Sequence, residues 1–237
     1  MKIVLPMAGR GSRFSNKGIA TPKPFIPVKG KPMFLHALES VSGIAYSALI
    51  VIVLKEHAAV FNIKQLLSDA GYKNISIIEL EEVTEGQLAT VLTASSYLDT
   101  PEDLLILSSD TVIESAIKAE ILEKRNACAG IISVAKLAGT QWSFAKANAL
   151  GIVEKVAEKE RISDLASTGI YYFSKGNAFL KYASKIITQK EKTRNEYYVI
   201  PVFQKFIDNN ETIVISLAKK MWDMGTPESL EQYILAH

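Results

Sequence analysis

Short apolar runs alternate with helical spacing through the first half of the chain, and turn residues mark each change. Lys2 to Met7, Ala48 to Leu54, Ile75 to Leu80 and Asp103 to Leu107 read as strands whose Val, Ile and Leu content suits burial on both faces. Between them, Pro32 to Val41, Glu56 to Ala70 and Gly86 to Leu98 read as helices, the first opened by proline and the second closed by Gly71. Right-handed crossovers would stack these helices on both faces of one parallel sheet. After about Ala129 the pattern changes: Ile131 to Lys136, Trp142 to Ala147, Gly151 to Val156 and Thr168 to Phe173 are strand-like with no strong helix between them, which predicts an antiparallel excursion. Helices at Lys175 to Ile187 and Glu196 to Asp208, a strand at Thr212 to Leu217 and a helix from Pro227 follow. The expected fold is α/β, Rossmann-like, with a mixed, mainly parallel sheet, helices on both faces and a hairpin-rich insertion. With no linker, low-complexity tract or repeat, residues 1–237 are expected to form a single domain.

Composition narrows the function more than the fold. A chain of 237 residues that is 48% hydrophobic and 22% charged can fill a core. Its net charge of +2, with lysines scattered along the sequence, gives no field of the kind nucleic-acid binding needs. Small anionic ligands remain open. The single Cys128 lies in an apolar run and suits a buried thiol in a reducing cytosol. The apolar start, Ile3 to Ala8, meets Arg10 and Arg13 too soon for a signal peptide, and the uncharged stretch between Glu39 and Lys55 falls short of the ~18 apolar residues of a membrane span. The expectation is a soluble cytoplasmic protein with no membrane partner, its oligomeric state open. His36, His57 and His237 show no zinc-ligand spacing, and there is no Gly-x-Ser-x-Gly elbow of a hydrolase.

Met7-Ala8-Gly9-Arg10-Gly11-Ser12-Arg13-Phe14 directly follows the first strand, at the carboxyl edge where open α/β sheets bind ligands. Gly9 and Gly11 let the backbone turn its N–H groups toward phosphate oxygens, and Arg10, Arg13, Lys17 and Lys23 supply positive charge. A dinucleotide fingerprint fails, because Phe14 stands where its third glycine belongs and Leu54-Lys55 where its acid belongs. A Walker A loop fails as well, since Gly30-Lys31-Pro32 lacks the hydroxyl. A triphosphate is the expected ligand; a tight turn with solvated arginines is the plain alternative.

Leu5 to Phe14, followed by Pro22-Lys23-Pro24 and Gly30-Lys31-Pro32, resembles the signature of the sugar-phosphate nucleotidyltransferases. Weaker likeness continues through Thr84-Glu85-Gly86-Gln87, Ser108-Ser109-Asp110, Glu158-Lys159, Thr168-Gly169-Ile170-Tyr171 and Trp222-Asp223-Met224-Gly225. The resemblance implies attack by an acceptor phosphate oxygen on the α-phosphorus of a nucleoside triphosphate, with magnesium and without a covalent enzyme intermediate. Aligning two anions and neutralising the leaving group then matter most. It implies catalytic roles for Arg13 and Lys23, nucleotide contacts from Met7, Ala8, Gly9, Arg10, Gly11, Ser12, Glu85, Gly86, Gln87 and Ser109, and acceptor contacts from Glu158, Lys159, Gly169 and Glu196. Asp110 and Asp223 would hold Mg²⁺.

Each assignment has a structural alternative. Asp110 and Asp223 can serve as a helix cap and a turn residue, Thr84 with Gln87 as a capping box, Glu196 as a first-turn helix acid and Gly169 as a bulge. Ser-Ser-Asp-Thr replaces the family's common Gly-Asp-Asn, and Glu160 stands where proline usually follows the lysine. No Asp-x-Asp occurs, which argues against a glycosyltransferase. The resulting expectation is a nucleotidyltransferase acting on a sugar phosphate for surface-glycan precursors. A cytidylyltransferase for a phosphorylated non-sugar acceptor and a catalytically inactive nucleotide-binding regulator are the alternatives.

Overall fold

The computed structural model describes residues 1–237. Thirteen strands run in chain order: β1 Lys2–Pro6, β2 Pro27–Val28, β3 Lys31–Pro32, β4 Ala48–Leu54, β5 Ile75–Leu80, β6 Leu104–Leu107, β7 Thr111–Glu114, β8 Gly130–Lys136, β9 Ser143–Ala147, β10 Val153–Glu158, β11 Leu165–Phe173, β12 Ile213–Leu217 and β13 Lys220–Asp223. Nine of them form one sheet along the path β10-β9-β11-β6-β1-β4-β5, with β8 branching from β11 and β12 pairing beyond it on β8. β1 pairs in parallel with β4 and β6, and β4 with β5. β11 runs antiparallel to β6 and β8, and β9 to β10. The sheet is therefore mixed, with a parallel heart and an antiparallel flank, as the change in pattern after Ala129 predicts.

Alternation within each central strand builds two cores. Val4, Ile50, Ile52, Leu104 and Ile106 face one side, where the helices Gln87–Leu92, Gly176–Thr188 and Ile200–Ile207 cover them. Ile3, Leu5, Leu49, Val51, Leu105 and Leu107 face the other, under Met33–Glu39, Ile63–Asp69 and Ile117–Lys124. The helix Gly176–Thr188 shows why: Phe179, Tyr182, Ala183 and Ile186 fall on one stripe, and all are buried. A third, smaller cluster of Phe14, Ile26, Val28, Met33, Met224, Leu230 and Tyr233 fastens the helix Pro227–Ala236 to the segment after β1.

Three helix expectations need correction. Glu56 to Ala70 is two helices, Lys55–Ala58 and Ile63–Asp69, because Asn62 caps the second by accepting from Gln65 N at 3.1 Å while Phe61 turns in to stack on Phe25. Gly86 to Leu98 divides into Gln87–Leu92 and Ser95–Leu98. Helix after Glu196 begins only at Ile200, with Pro201 in its first turn, because Tyr197 spends its N–H on Glu85 O (2.7 Å) and its carbonyl on Leu88 N (3.0 Å). Glu196 is thus not a first-turn acid. The helix Ile117–Lys124 and the ribbon of β7 with β13 are additional to the expected elements.

Candidate active site

In sheet order β5, β4, β1 and β6, the chain leaves β1 toward β4 and later returns to β6 on its other side, so the switch point lies between β1 and β6. The loops after these two strands, Met7 to Arg13 and Ser108 to Asp110, line one cleft of about 1170 Å³ at their carboxyl ends. Gly11 turns the first loop in the left-handed region (φ 62°, ψ 37°) and packs so closely that an added Cβ would lie 2.7 Å from Lys23 Cβ. Met7 and Ala8 are buried, whereas Gly9, Arg10, Ser12 and Arg13 stand exposed at the rim.

Behind that loop, Lys23 Nζ meets Asp110 Oδ2 at 2.6 Å, the two side chains 22% and 19% exposed. Lys23 is aimed by a 3₁₀ turn, Lys23–Phe25, that Pro22 and Pro24 stiffen and Phe25 anchors by stacking on Phe61 at 4.1 Å. Asp110 precedes β7 and Asp223 ends β13, and the pairing of Asp223 with Thr111 brings the two acids together. They crowd around Gly225, where a Cβ would come within 2.8 Å of Asp223 Oδ1 and 3.1 Å of Asp110 Oδ2. Burial opposes the charge of Asp110, but Lys23 and Arg13 outweigh it and hold the carboxyl below its ordinary value. Asp223 goes the other way: burial and the neighbouring Asp110 raise its pKa, although Gly225 N donates to its Oδ1 at 3.0 Å.

This donor set fits magnesium. Two carboxylates share only Lys23 as a close counter-charge and repel each other, and Mg²⁺ is commonly bound through one or two carboxylates with phosphate oxygens and water. No third acidic, histidine or cysteine side chain joins them in a cluster able to hold a metal by protein ligands alone.

The second wall carries Val83, Thr84, Gly86, Gln87 and Thr90. Gln87 Nε2 reaches Ser108 Oγ at 3.5 Å, and Thr84 bonds Thr90 through their hydroxyls at 2.6 Å, so the capping-box geometry expected from Thr84 and Gln87 does not form. Ser109 is buried in the same cleft. Glu85 is the one expected contact that stands off it: its side chain pairs outward with Lys192 at 2.6 Å.

The third wall gathers Glu158, Lys159, Gly169 and Glu196. Gly169 sits where β11 bulges, since Ser167 pairs with Val134 and Tyr171 with Ile132, two extra residues on the β11 side. Its backbone abuts Ser108, where an added Cβ would meet Oγ at 2.3 Å. Glu158 is buried and accepts from Ser143 Oγ; burial pushes its pKa up despite Ser143 and Lys159. Lys159 lies 3.2 Å from Glu158 Oε1, donates to Gln141 O and stands 5.4 Å over the Tyr198 ring. Tyr198 is itself raised, by burial and by Glu196 beside it. Ser143, Thr168, Tyr171, Tyr198 and Trp142 also line this wall without any motif spacing to announce them. Only folding unites the hairpin β9–β10, the bulge and the turn before Ile200.

The chain matches the Nucleotidyl transferase family over residues 2–236 and belongs to it. It is 26% identical over 233 residues to the bifunctional protein GlmU of Methanococcus maripaludis strain C7, covering 96% of this chain and 52% of that protein. The chain thus spans about half the length of that relative. Over 165 residues it is 28% identical to the CMP-5'-(3-aminopropyl)phosphonate synthase of Streptomyces rubellomurinus, covering 68% of this chain and 25% of that protein. Among solved structures, a nucleoside-diphosphate-sugar pyrophosphorylase of Vibrio cholerae RC9 superimposes with a TM-score of 0.86 at 26% identity, over 98% of this chain and 99% of that one. No helix is long and apolar enough to cross a membrane.

Proposed function

We propose that this chain joins a nucleoside triphosphate to a small phosphorylated acceptor, a sugar phosphate, with release of pyrophosphate, acting as one domain in the cytoplasm. The observation that carries the reading is the convergence, at the sheet's switch point, of a glycine loop ending in Arg13 with Lys23, Asp110 and Asp223 behind it. Magnesium held by Asp110 and Asp223 would offset charge on the triphosphate. The backbone of Gly9 to Arg13 would cradle the phosphates, and Arg13 would neutralise the leaving pyrophosphate. Lys23 would turn to the α-phosphate once Asp110 has another cation. The acceptor phosphate is itself the nucleophile, so no general base is required; Gly169 and Lys159 would line it up for in-line attack. The likeness to a nucleoside-diphosphate-sugar pyrophosphorylase supports a sugar acceptor, and supply of surface-glycan precursors is the proposed use.

A cytidylyl transfer to a non-sugar acceptor is the second reading, favoured by the likeness to a CMP-phosphonate synthase. Pyrophosphate release measured for CTP, UTP, dTTP, GTP and ATP against sugar and non-sugar phosphates tests both. Release with one pair, lost in Asp110→Ala and Arg13→Ala proteins that still fold, supports transfer. Triphosphate binding without release for any pair makes the chain a regulator.

A further inference from the structure

An alkylammonium group already occupies the third wall of the cleft. Lys159 Nζ lies 3.2 Å from Glu158 Oε1, donates to Gln141 O, and stands 5.4 Å over the face of Tyr198. Carboxylate, peptide carbonyl and aromatic face together make a socket for a primary ammonium. Glu158 needs that charge, because its side chain is 2% exposed and Oε1 has no hydrogen-bond partner of good geometry. Glu196, beside Tyr198, adds a second carboxylate to the same wall. Independently, the hydroxyl of Thr168, 1% exposed on the adjoining bulge of the cleft lining, also lacks a partner.

The proposed transfer asks Lys159 to do something else. If it turns its ammonium to the acceptor's phosphate, Glu158 is left as a buried carboxylate with only Ser143 to bond it. Uncompensated buried charge is strongly unfavourable, and a neutral hydroxyl returns a hydrogen bond but no charge. A cation carried by the acceptor restores both. Resting on the nucleotidyl-transfer reading, we infer that the acceptor is a phosphorylated primary amine whose ammonium takes the place of Lys159 between Glu158 and Tyr198 as Lys159 moves to the phosphate. An amino-sugar phosphate and an aminoalkyl phosphate both have this chemistry, and each would leave Thr168 a donor or acceptor to meet.

Matched acceptors test the inference on the whole chain with magnesium and the triphosphate it uses. Glucosamine 1-phosphate is compared with glucose 1-phosphate and N-acetylglucosamine 1-phosphate, and aminoethyl phosphate with ethyl phosphate. The expected result is that the amine member of at least one set is preferred by about tenfold or more in kcat/KM, the set identifying the source. Glu158→Gln should collapse that preference while lowering turnover of the neutral partner much less, and Tyr198→Leu should reduce it part way. Calorimetric binding of the same acceptors, with a non-hydrolysable triphosphate present, reads the preference without turnover. Pyrophosphate release with neutral acceptors only, or equal losses for both partners in Glu158→Gln, overturns the inference and leaves transfer standing. Amine-selective binding with no release for any acceptor overturns transfer and keeps the socket.

Discussion

Replacing Gly11 by alanine should injure this protein in two separable ways. Gly11 holds φ 62°, and an added Cβ would stand 2.7 Å from Lys23 Cβ, about 1 Å inside ordinary carbon–carbon contact. The left-handed backbone costs an alanine about 1–2 kcal/mol, and overpacking against Lys23 about 1–3 kcal/mol more. Together these lower the melting temperature by roughly 4–20 °C, given about 2–4 °C per kcal/mol at this size. Two other glycines divide the effect. Gly18 has φ 79° with open space around the added Cβ, so Gly18→Ala reports the backbone cost alone, roughly 2–8 °C. Gly9 has open space and no left-handed φ, so Gly9→Ala should melt like the unaltered protein. Relief of the contact moves Lys23 away from Asp110, and misplacement on the order of 1 Å should cut pyrophosphate release about a hundredfold. Thermal melts by circular dichroism and coupled pyrophosphate assays measure both effects. If Gly11→Ala melts with Gly18→Ala and keeps full activity, the packing of the loop on Lys23 is not what positions the cation.

Other expectations concern the acids and one helix end. Asp223→Asn should abolish magnesium-dependent release by about a hundredfold or more, yet without metal it should melt at or above the unaltered protein, because the charge removed is one that burial and Asp110 oppose. A marked fall in melting temperature would show that the acid pair does not repel. Glu158 has a pKa raised by burial above its ordinary 4.5, so its charge weakens the fold increasingly as pH rises from about 4.5 through the raised value. Urea titrations should therefore find Glu158→Gln gaining stability relative to the unaltered protein across that interval; a flat difference refutes the shift. Thr226 caps the helix Pro227–Ala236 by accepting from Ser229 N at 3.1 Å, and Thr226→Ala should cost about 1 kcal/mol, read as a loss of roughly 2–4 °C. An unchanged midpoint would mean that the helix end frays without consequence.

The parts of this molecule that repeat a local pattern were readable in the chain. Ala48–Leu54, apolar throughout and buried on both faces, and Phe179, Tyr182, Ala183 and Ile186 on one helical stripe announce their surroundings by period alone. The glycine loop was legible because it follows a strand at the carboxyl edge of the sheet, where the cleft opens, and Lys23 because it stands in the Pro22-Lys23-Pro24 run that carries the family resemblance. What escaped was set by tertiary contact. Glu56 to Ala70 has helical spacing throughout, but Phe61 gains a stacking partner in Phe25 by leaving the helix. Glu196 to Val199 could continue the following helix, yet Tyr197 finds backbone partners in Glu85 and Leu88. Glu85 sits inside a motif that resembles a nucleotide contact, and its side chain follows Lys192 instead. Glu158 and Lys159 stand in a pair that carries part of the family resemblance, but their meeting with Gln141 and Tyr198 has no sequence signature, because it joins three separate segments.

The proposed transfer is attack at the α-phosphorus of a bound triphosphate by a phosphorylated acceptor. Phosphorus NMR of the reaction with magnesium, each triphosphate and the acceptor panel tests it most directly. Pyrophosphate and a new nucleoside diphosphate ester should appear in equal amounts, both absent when the acceptor is omitted or Asp110 is replaced by alanine. Orthophosphate with nucleoside diphosphate in their place, or a triphosphate signal that broadens on binding and never turns over with any acceptor, would contradict it.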